Sequence, residues 1–471
     1  MKLFAGLLVA MLTAMPASAQ IANFEHIVII VQENRTPDNL FYALCSSQRC
    51  KTKPDDSEYD IQAGHWLDRN AQGGSVRPKP VPLANSYDLG HAHAEFVVMC
   101  DLNAATDTCR MDGAGDITCI RSCLPNPMFR YVDNSSGILN PYLFLATQYG
   151  WANYMFQTNQ GPSFPAHQFL FGATSAPSPA DDHKGTFAAE NLMTKGQTIN
   201  GCIAPPATRV QLINAKGVEN PSKHIYPCFE HLTLADVLDA NSVSWRYYTP
   251  GAGDLWSAPD AIKHICKPSN GRCEGALWRH NLALNPLQAF PEIAACKLRG
   301  VSWIIPSAQF SDHALINTGG GPAWVARLVN AIGNSQCRNA DGSSYWDSTA
   351  IIITWDDWGG WYDHEAPTIL PYPEGGYQYG FRVPLIFVSA YTPHRYINNE
   401  QQDFGSVARF VEFNFGIPMG ELTFADARST GNLAHFYDLS ATPRIFVPVP
   451  APAVPNAMHP ENLKLLPPDD D

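Results

Sequence analysis

Two seven-residue runs constrain this chain more than any other feature. His26-Ile-Val-Ile-Ile-Val-Gln32 and Thr349-Ala-Ile-Ile-Ile-Thr-Trp355 are almost continuously apolar and β-branched. An alternating pattern would mark a strand with one wet face. An unbroken pattern marks a strand covered on both faces, as in a parallel sheet held between helices. Val301-Ser-Trp-Ile-Ile-Pro306 and Val383-Pro-Leu-Ile-Phe-Val-Ser389 are weaker examples. Helical patterns lie between the runs, at Thr233–Ala240, Pro322–Ile332 and Ser406–Phe415. The alternation predicts an α/β fold, three-layer, with a mostly parallel central sheet. No internal repeat or long linker divides the chain, so residues 20–445 read as one domain. Residues 446–471 are rich in proline and end Pro-Pro-Asp-Asp-Asp, which reads as an extended C-terminal tail.

The first residues point to export. Met1-Lys2 is followed by an apolar stretch from Leu3 to Met15 and then by Pro-Ala-Ser-Ala at 16–19. A positive start, a short apolar core and a small-residue site make a secretory signal peptide, cleaved after Ala19. The apolar stretch is shorter than the ~20 residues a membrane span needs. No other stretch is long and apolar enough, so no transmembrane segment is expected and the product is periplasmic or secreted. All 12 cysteines follow Ala19. Cys45 and Cys50, Cys100 and Cys109, Cys119 and Cys123, and Cys266 and Cys273 sit close together, and an even count in an exported chain predicts disulfides. The formal net charge is -13. A chain this acidic does not grip nucleic acid over a broad face, because phosphate contacts need clustered Lys and Arg. No protein partner is implied.

Chemistry-bearing residues follow the strands. The first run ends in Glu33-Asn34-Arg35, the second in Asp356-Asp357, and Val301–Pro306 is followed by Ser311-Asp312-His313. In open α/β sheets, ligands bind at the carboxyl ends of strands. Glu33, Asn34, Asp356 and Asp357 together offer four oxygen donors, three of them carboxylates, which suits a hard divalent cation. Adjacent carboxylates repel, and a bound cation lets both stay ionised. The bland alternative is that strand ends are polar in any case. In Gly161-Pro162-Ser163-Phe164-Pro165, Ser163 opens a helix-like stretch. There it is either a nucleophile beside an anion-binding helix terminus or a simple N-cap. Three histidines in loop-like segments, His91, His280 and His313, have the chemistry to hold phosphate oxygens or protonate a leaving group. Each equally suits a surface position.

Taken together, segments 26–41, 159–173, 233–250, 349–367 and 379–393 resemble the bacterial phosphoesterase family. That family holds secreted phospholipases C and a group of acid phosphatases, a branch of the alkaline-phosphatase-like superfamily. The matches run in family order, and Glu-Asn-Arg and Asp-Asp-x-Gly-Gly-x-Tyr-Asp-His are long motifs. The resemblance implies an alkaline-phosphatase-like fold. It implies Glu33, Asn34, Asp356 and Asp357 as ligands of one divalent metal cation (Zn, Ca, Mg or Mn), and Ser163 as nucleophile. His91 and His313 match active-site histidines, and His280 matches more loosely. His364, in Tyr-Asp-His, belongs to the signature as a supporting residue. Ala166-His167 departs from the Asn-Arg or Asn-His of many members. The implied mechanism runs through a phosphoserine, with a histidine such as His313 protonating the departing alcohol. The implied substrate is a phospholipid or small phosphate ester, with phospholipase C favoured over acid phosphatase. An inactive secreted binding protein is the alternative of another class.

Overall fold

The computed structural model describes residues 21–192, 199–369 and 378–452. Residues 1–19, read as a signal peptide, lie outside that range, as does most of the proline-rich tail.

The architecture is α/β, with an eight-stranded central sheet. Its strands are β1 His26–Gln32, β2 Gly150–Phe156, β3 Trp245–Tyr248, β4 Leu282–Ala283, β5 Val301–Ile304, β6 Thr349–Trp355, β7 Leu385–Val388 and β8 Tyr396–Asp403. The spatial order is β4-β3-β5-β1-β6-β7-β2-β8. All pairings are parallel except those of β7, which runs antiparallel to both β6 and β2. The apolar run at 383–389 therefore forms a strand, but against the prevailing direction. An unbroken apolar pattern reports burial on two faces and carries no information about polarity.

Every residue of β1 and β6 is buried, as expected for central strands covered on both sides. Burying side chains such as Ile27, Val28, Ile29, Ile30 and Val31 contributes about 1.5–3 kcal/mol each. Five further elements matter here: α1 Asn140–Gln148, α2 Ser163–Gly172, α3 Leu234–Ala240, α4 Gly321–Gly333 and α5 Phe404–Phe415. They form two packed groups, α1 with α4 and α2 with α3 and α5. Thr233 caps α3, with a capping box closed by Asp236. The sequence pattern did not reveal β2, β3, β4 or β8. β8 reads Tyr-Ile-Asn-Asn-Glu-Gln-Gln-Asp, too polar to signal a strand, because it lies at the sheet edge.

All twelve cysteines are paired. The four local pairs expected from spacing form, and Cys202–Cys228 and Cys296–Cys337 close longer loops. In the chain-entropy account, loops of 26 and 41 residues gain about 3–4 kcal/mol each from closure. The ordered packing also runs past 445. Phe446 packs on Trp346, and Val449 is buried with its N–H and C=O both bonded to the Asn330 side chain of α4. Among the described residues, no helix is long and apolar enough to cross a membrane.

Candidate active site

β1 and β6 pair in register over seven positions, from His26 opposite Thr349 to Gln32 opposite Trp355. The next residues are Glu33 and Asp356, so strand pairing alone brings two carboxylates to one edge. Asn34 then turns with a φ of 60°, in the left-handed region that Asn tolerates better than most residues. Its N–H donates to Asp356 Oδ1 at 3.0 Å. The Asp357-Trp-Gly-Gly-Trp turn closes over this bend. A Cβ on Gly359 would lie 2.5 Å from the Asn34 carbonyl oxygen, and one on Gly360 would lie 2.4 Å from Leu89 Cβ. Both glycines have positive φ, so only glycine lets the three site-bearing loops meet.

Ser163 is the first residue of α2, and its Oγ donates to Asp357 Oδ2 at 2.9 Å. It does not cap its helix. That task falls to Asn191, whose Oδ1 accepts from the Phe164 N–H at 3.0 Å. Pro165 has no N–H to offer, so the helix terminus has fewer donors for an anion than its position suggested. Asp357 Oδ1 accepts from Gly359 N–H, which fixes the carboxylate that faces the serine.

His91 Nδ1 donates to the Leu89 carbonyl at 2.8 Å, and its Nε2 accepts from Asn34 Nδ2 at 3.0 Å. The same nitrogen lies 3.9 Å from Asp357 Oδ2. The His313 ring is 6.4 Å from that of His91, and its Nδ1 donates to the Ala314 carbonyl. Arg35 holds the segment before His313. Its guanidinium is buried, donates to the Asp312 and Leu83 carbonyls, and stacks on Trp361. Burial pushes this guanidinium down to about 10. Arg35 is thus a structural clamp on the segments of Asp312 and Leu83.

Glu33, Asn34, Ser163, Asp356, Asp357, His91 and His313 therefore converge, all buried. His280 does not join them. It sits on the exposed short helix Ala276–Asn281, with Nδ1 bonded to the Ala276 carbonyl one turn back. It lies just before β4, at that strand's amino end, whereas the site gathers at the carboxyl ends of β1 and β6.

His167, noted in the sequence only within a departure from the family pattern, joins the site. Its Nε2 lies 3.2 Å from Glu33 Oε1 and 3.5 Å from Asp356 Oδ2. The signal was present, because Ser163 and His167 are four residues apart and so share one helix face. Burial pushes the His167 imidazole down to about 4. Burial, and then the charge of Asp356, hold the Glu33 carboxyl well above its usual range. Among the described residues, the only basic group within ion-pair reach of Glu33 or Asp356 is this imidazole.

The donor set fits a cation. Glu33 Oε2, Asn34 Oδ1 and Asp356 Oδ2 are buried and accept no hydrogen bond. Buried polar atoms are normally satisfied, and three orphaned oxygens beside three carboxylates are what a bound ion would complete.

A second buried network braces the site from behind. The His364 ring donates to Asp38 Oδ2 and Asp60 Oδ1, each at 2.9 Å, while Arg382 forks onto Asp363 at 2.7 and 3.0 Å. Burial alone would lower the His364 pKa, but the charge of Asp38 and the bonds to Asp38 and Asp60 outweigh it and raise it to about 10. A folded-state value above the ordinary 6.5 stabilises fully below 6.5, and the contribution is lost as pH rises through about 10. The urea midpoint is therefore expected to fall between pH 7 and 10, and to fall less steeply in His364→Gln. Parallel pH curves for the two proteins would remove His364 as the cause.

Ser163, His91, His313 and the carboxylates of Glu33, Asp356 and Asp357 thus gather at the strand ends of an α/β sheet. The chain belongs to the Phosphoesterase family, whose profile matches residues 24–418. It is similar to phospholipase C B of Mycobacterium tuberculosis, 24% identical over 202 residues, which are 39% of this chain and 36% of that one. It is likewise similar to phospholipase C A of the same organism, 24% identical over 262 residues (49% and 46%). Hemolytic phospholipase C of Pseudomonas aeruginosa is 24% identical over 245 residues (44% and 33%). The matches thus span between a third and a half of these relatives' lengths. Among solved structures, a protein of the alkaline phosphatase superfamily from Vibrio parahaemolyticus shares 9% identity. The likeness covers 85% of this chain and 68% of that one at a TM-score of 0.34, too low to build on.

Proposed function

We propose that the protein is a secreted, metal-dependent phospholipase C that cleaves phospholipid headgroup esters through a phosphoserine. The observation that carries this reading is Ser163 Oγ bonded at 2.9 Å to Asp357, beside the orphaned oxygens of Glu33, Asn34 and Asp356. The six disulfides and the N-terminal signal pattern support export. The similarity to three phospholipases C supports the substrate class.

Glu33, Asn34, Asp356 and Asp357 hold one divalent cation. When bound, it neutralises phosphoryl charge and favours the ionised form of a nearby hydroxyl. Asp357 accepts the serine hydrogen bond and so aims Oγ. Ser163 Oγ attacks phosphorus, its proton passing to Asp357, as the bond to the glycerol oxygen breaks, leaving the headgroup phosphate esterified to the serine; hydrolysis returns that proton to the departing Oγ. His313 protonates the departing alkoxide and then takes a proton from the water that hydrolyses the intermediate. His91, fixed at both ring nitrogens, orients Asn34 and contributes a dipole toward the phosphoryl group. Excluding bulk water strengthens each of these interactions.

One assay tests the reading. The expected result is release of diacylglycerol and phosphocholine from phosphatidylcholine, abolished by chelator dialysis and restored by a divalent cation. Phosphate release from a nucleoside monophosphate, with phosphatidylcholine untouched, would replace it with an acid phosphatase. Inertness toward both substrates would leave a binding protein.

A further inference from the structure

We propose that His167 is a fifth protein ligand of the cation and that its nitrogen makes the site select an imidazole-accepting ion such as Zn²⁺ over Mn²⁺, Ca²⁺ or Mg²⁺. This rests on the metal-site reading above and adds a donor of a different chemical kind.

Three observations carry it. First, His167 Nε2 lies 3.2 Å from Glu33 Oε1 and 3.5 Å from Asp356 Oδ2, and one ligand atom from each of these residues lies within 4.8 Å of the others. With bonds of about 2.0–2.1 Å, neighbouring ligands around one ion sit roughly 3–3.5 Å apart. The separations are those of atoms already grouped about a common centre. Second, the oxygens facing this nitrogen's neighbourhood are incomplete: Glu33 Oε2 and Asp356 Oδ2 are buried without a donor. Third, His167 is placed by a rigid element. It lies one helical turn beyond Ser163 on α2, and both side chains are buried. One helix thus delivers the attacking hydroxyl and a ligand in fixed relation.

The opposite side of the ring does not choose between roles. His167 Nδ1 is buried without a partner, so either tautomer leaves it unsatisfied. The decision falls to Nε2. Either it is protonated and bonds to Glu33, or it carries a lone pair directed at a metal. An imidazole ligand suits Zn²⁺ and contributes little to Mn²⁺, Ca²⁺ or Mg²⁺, which favour oxygen.

The test uses the full-length protein, stripped by chelator dialysis. Uptake of Zn²⁺, Mn²⁺, Ca²⁺ and Mg²⁺ is measured by equilibrium dialysis with elemental analysis. Cu²⁺ serves as a spectroscopic probe, read by pulsed electron paramagnetic resonance for the remote nitrogen of a bound imidazole. The wild type is expected to take up one Zn²⁺ per chain and to show imidazole modulation. His167→Asn is expected to lose that modulation and to bind Zn²⁺ at least about 10-fold more weakly, with Mn²⁺, Ca²⁺ and Mg²⁺ little changed. Glu33→Gln is expected to weaken all four. Wild-type uptake of one ion without imidazole modulation overturns the proposal and leaves the carboxylate site standing. So does His167→Asn with unchanged modulation and affinity. A wild type that takes up no ion overturns both. The wild-type spectrum decides even if the variants fold poorly.

Discussion

Replacing Ser163 with alanine lowers kcat by about 10⁴-fold or more and leaves the fold in place. The substitution removes one oxygen from a fully buried position. It deletes a single hydrogen bond, to Asp357 Oδ2, while Asp357 Oδ1 keeps the Gly359 N–H. Losing one hydrogen bond to a buried carboxylate costs about 1–3 kcal/mol, which a chain with six disulfides tolerates. The chemical loss is far larger, because the attacking oxygen itself is gone. Steady-state hydrolysis of a chromogenic phosphocholine ester measures the rate. Acid quenching with a phosphorus-labelled substrate measures the covalent adduct, which is expected in the wild type and absent from the variant. Turnover within tenfold of wild type, or label retained by the variant, would remove Ser163 as the nucleophile.

The largest stability effect is expected at Arg382, outside the reacting groups. Its guanidinium is fully buried and forks onto Asp363, donates to the Asp60 and Asn153 carbonyls, and lies 3.7 Å from Asp38 Oδ1. Arg382→Met would leave Asp38, Asp60 and Asp363 buried with only the His364 imidazolium among them. Removing one partner from such a group costs about 3–5 kcal/mol, because the stranded charges have no water to return to. Arg382→Lys recovers little, since an ammonium cannot reproduce the planar fork. The effect reaches the site. Asp38 follows the Glu33–Asn34 bend and Asp363 follows the Asp357 turn, so the network ties together the two loops that carry the carboxylates. Urea unfolding followed by tryptophan fluorescence measures the change. A loss below about 1 kcal/mol would mean that the aspartates are neutralised in some other way.

His364 shows how far motif reading reaches. Its place in the Tyr-Asp-His signature marked it as a supporting residue, and its ring bridges Asp38 and Asp60. Nothing local to it named those partners, which lie 326 and 304 residues away. His280 and His167 fail in opposite directions. His280 had the right residue type in a segment that the fold leaves at the surface. His167 stood in the open as a departure from pattern, and only the turn of α2 shows that its ring enters the carboxylate cluster. The antiparallel run of β7 and the packing of Val449 on Asn330 were illegible for a related reason. Strand direction and the docking of an extended segment depend on what surrounds them, which residue type alone does not encode.

The local chain determined the unbroken apolar strands, the acidic residues that end them, the capped helix at Thr233 and the close cysteine pairs. Each follows from interactions among near neighbours, where periodicity and residue type suffice. Tertiary structure decided the rest: the β1–β6 register that sets Glu33 beside Asp356, the reach of Ser163 to Asp357 across 194 residues, and the exclusion of His280. These depend on which strands become neighbours and how loops close over them. That choice is made by burying the whole core at once, so no single segment carries it.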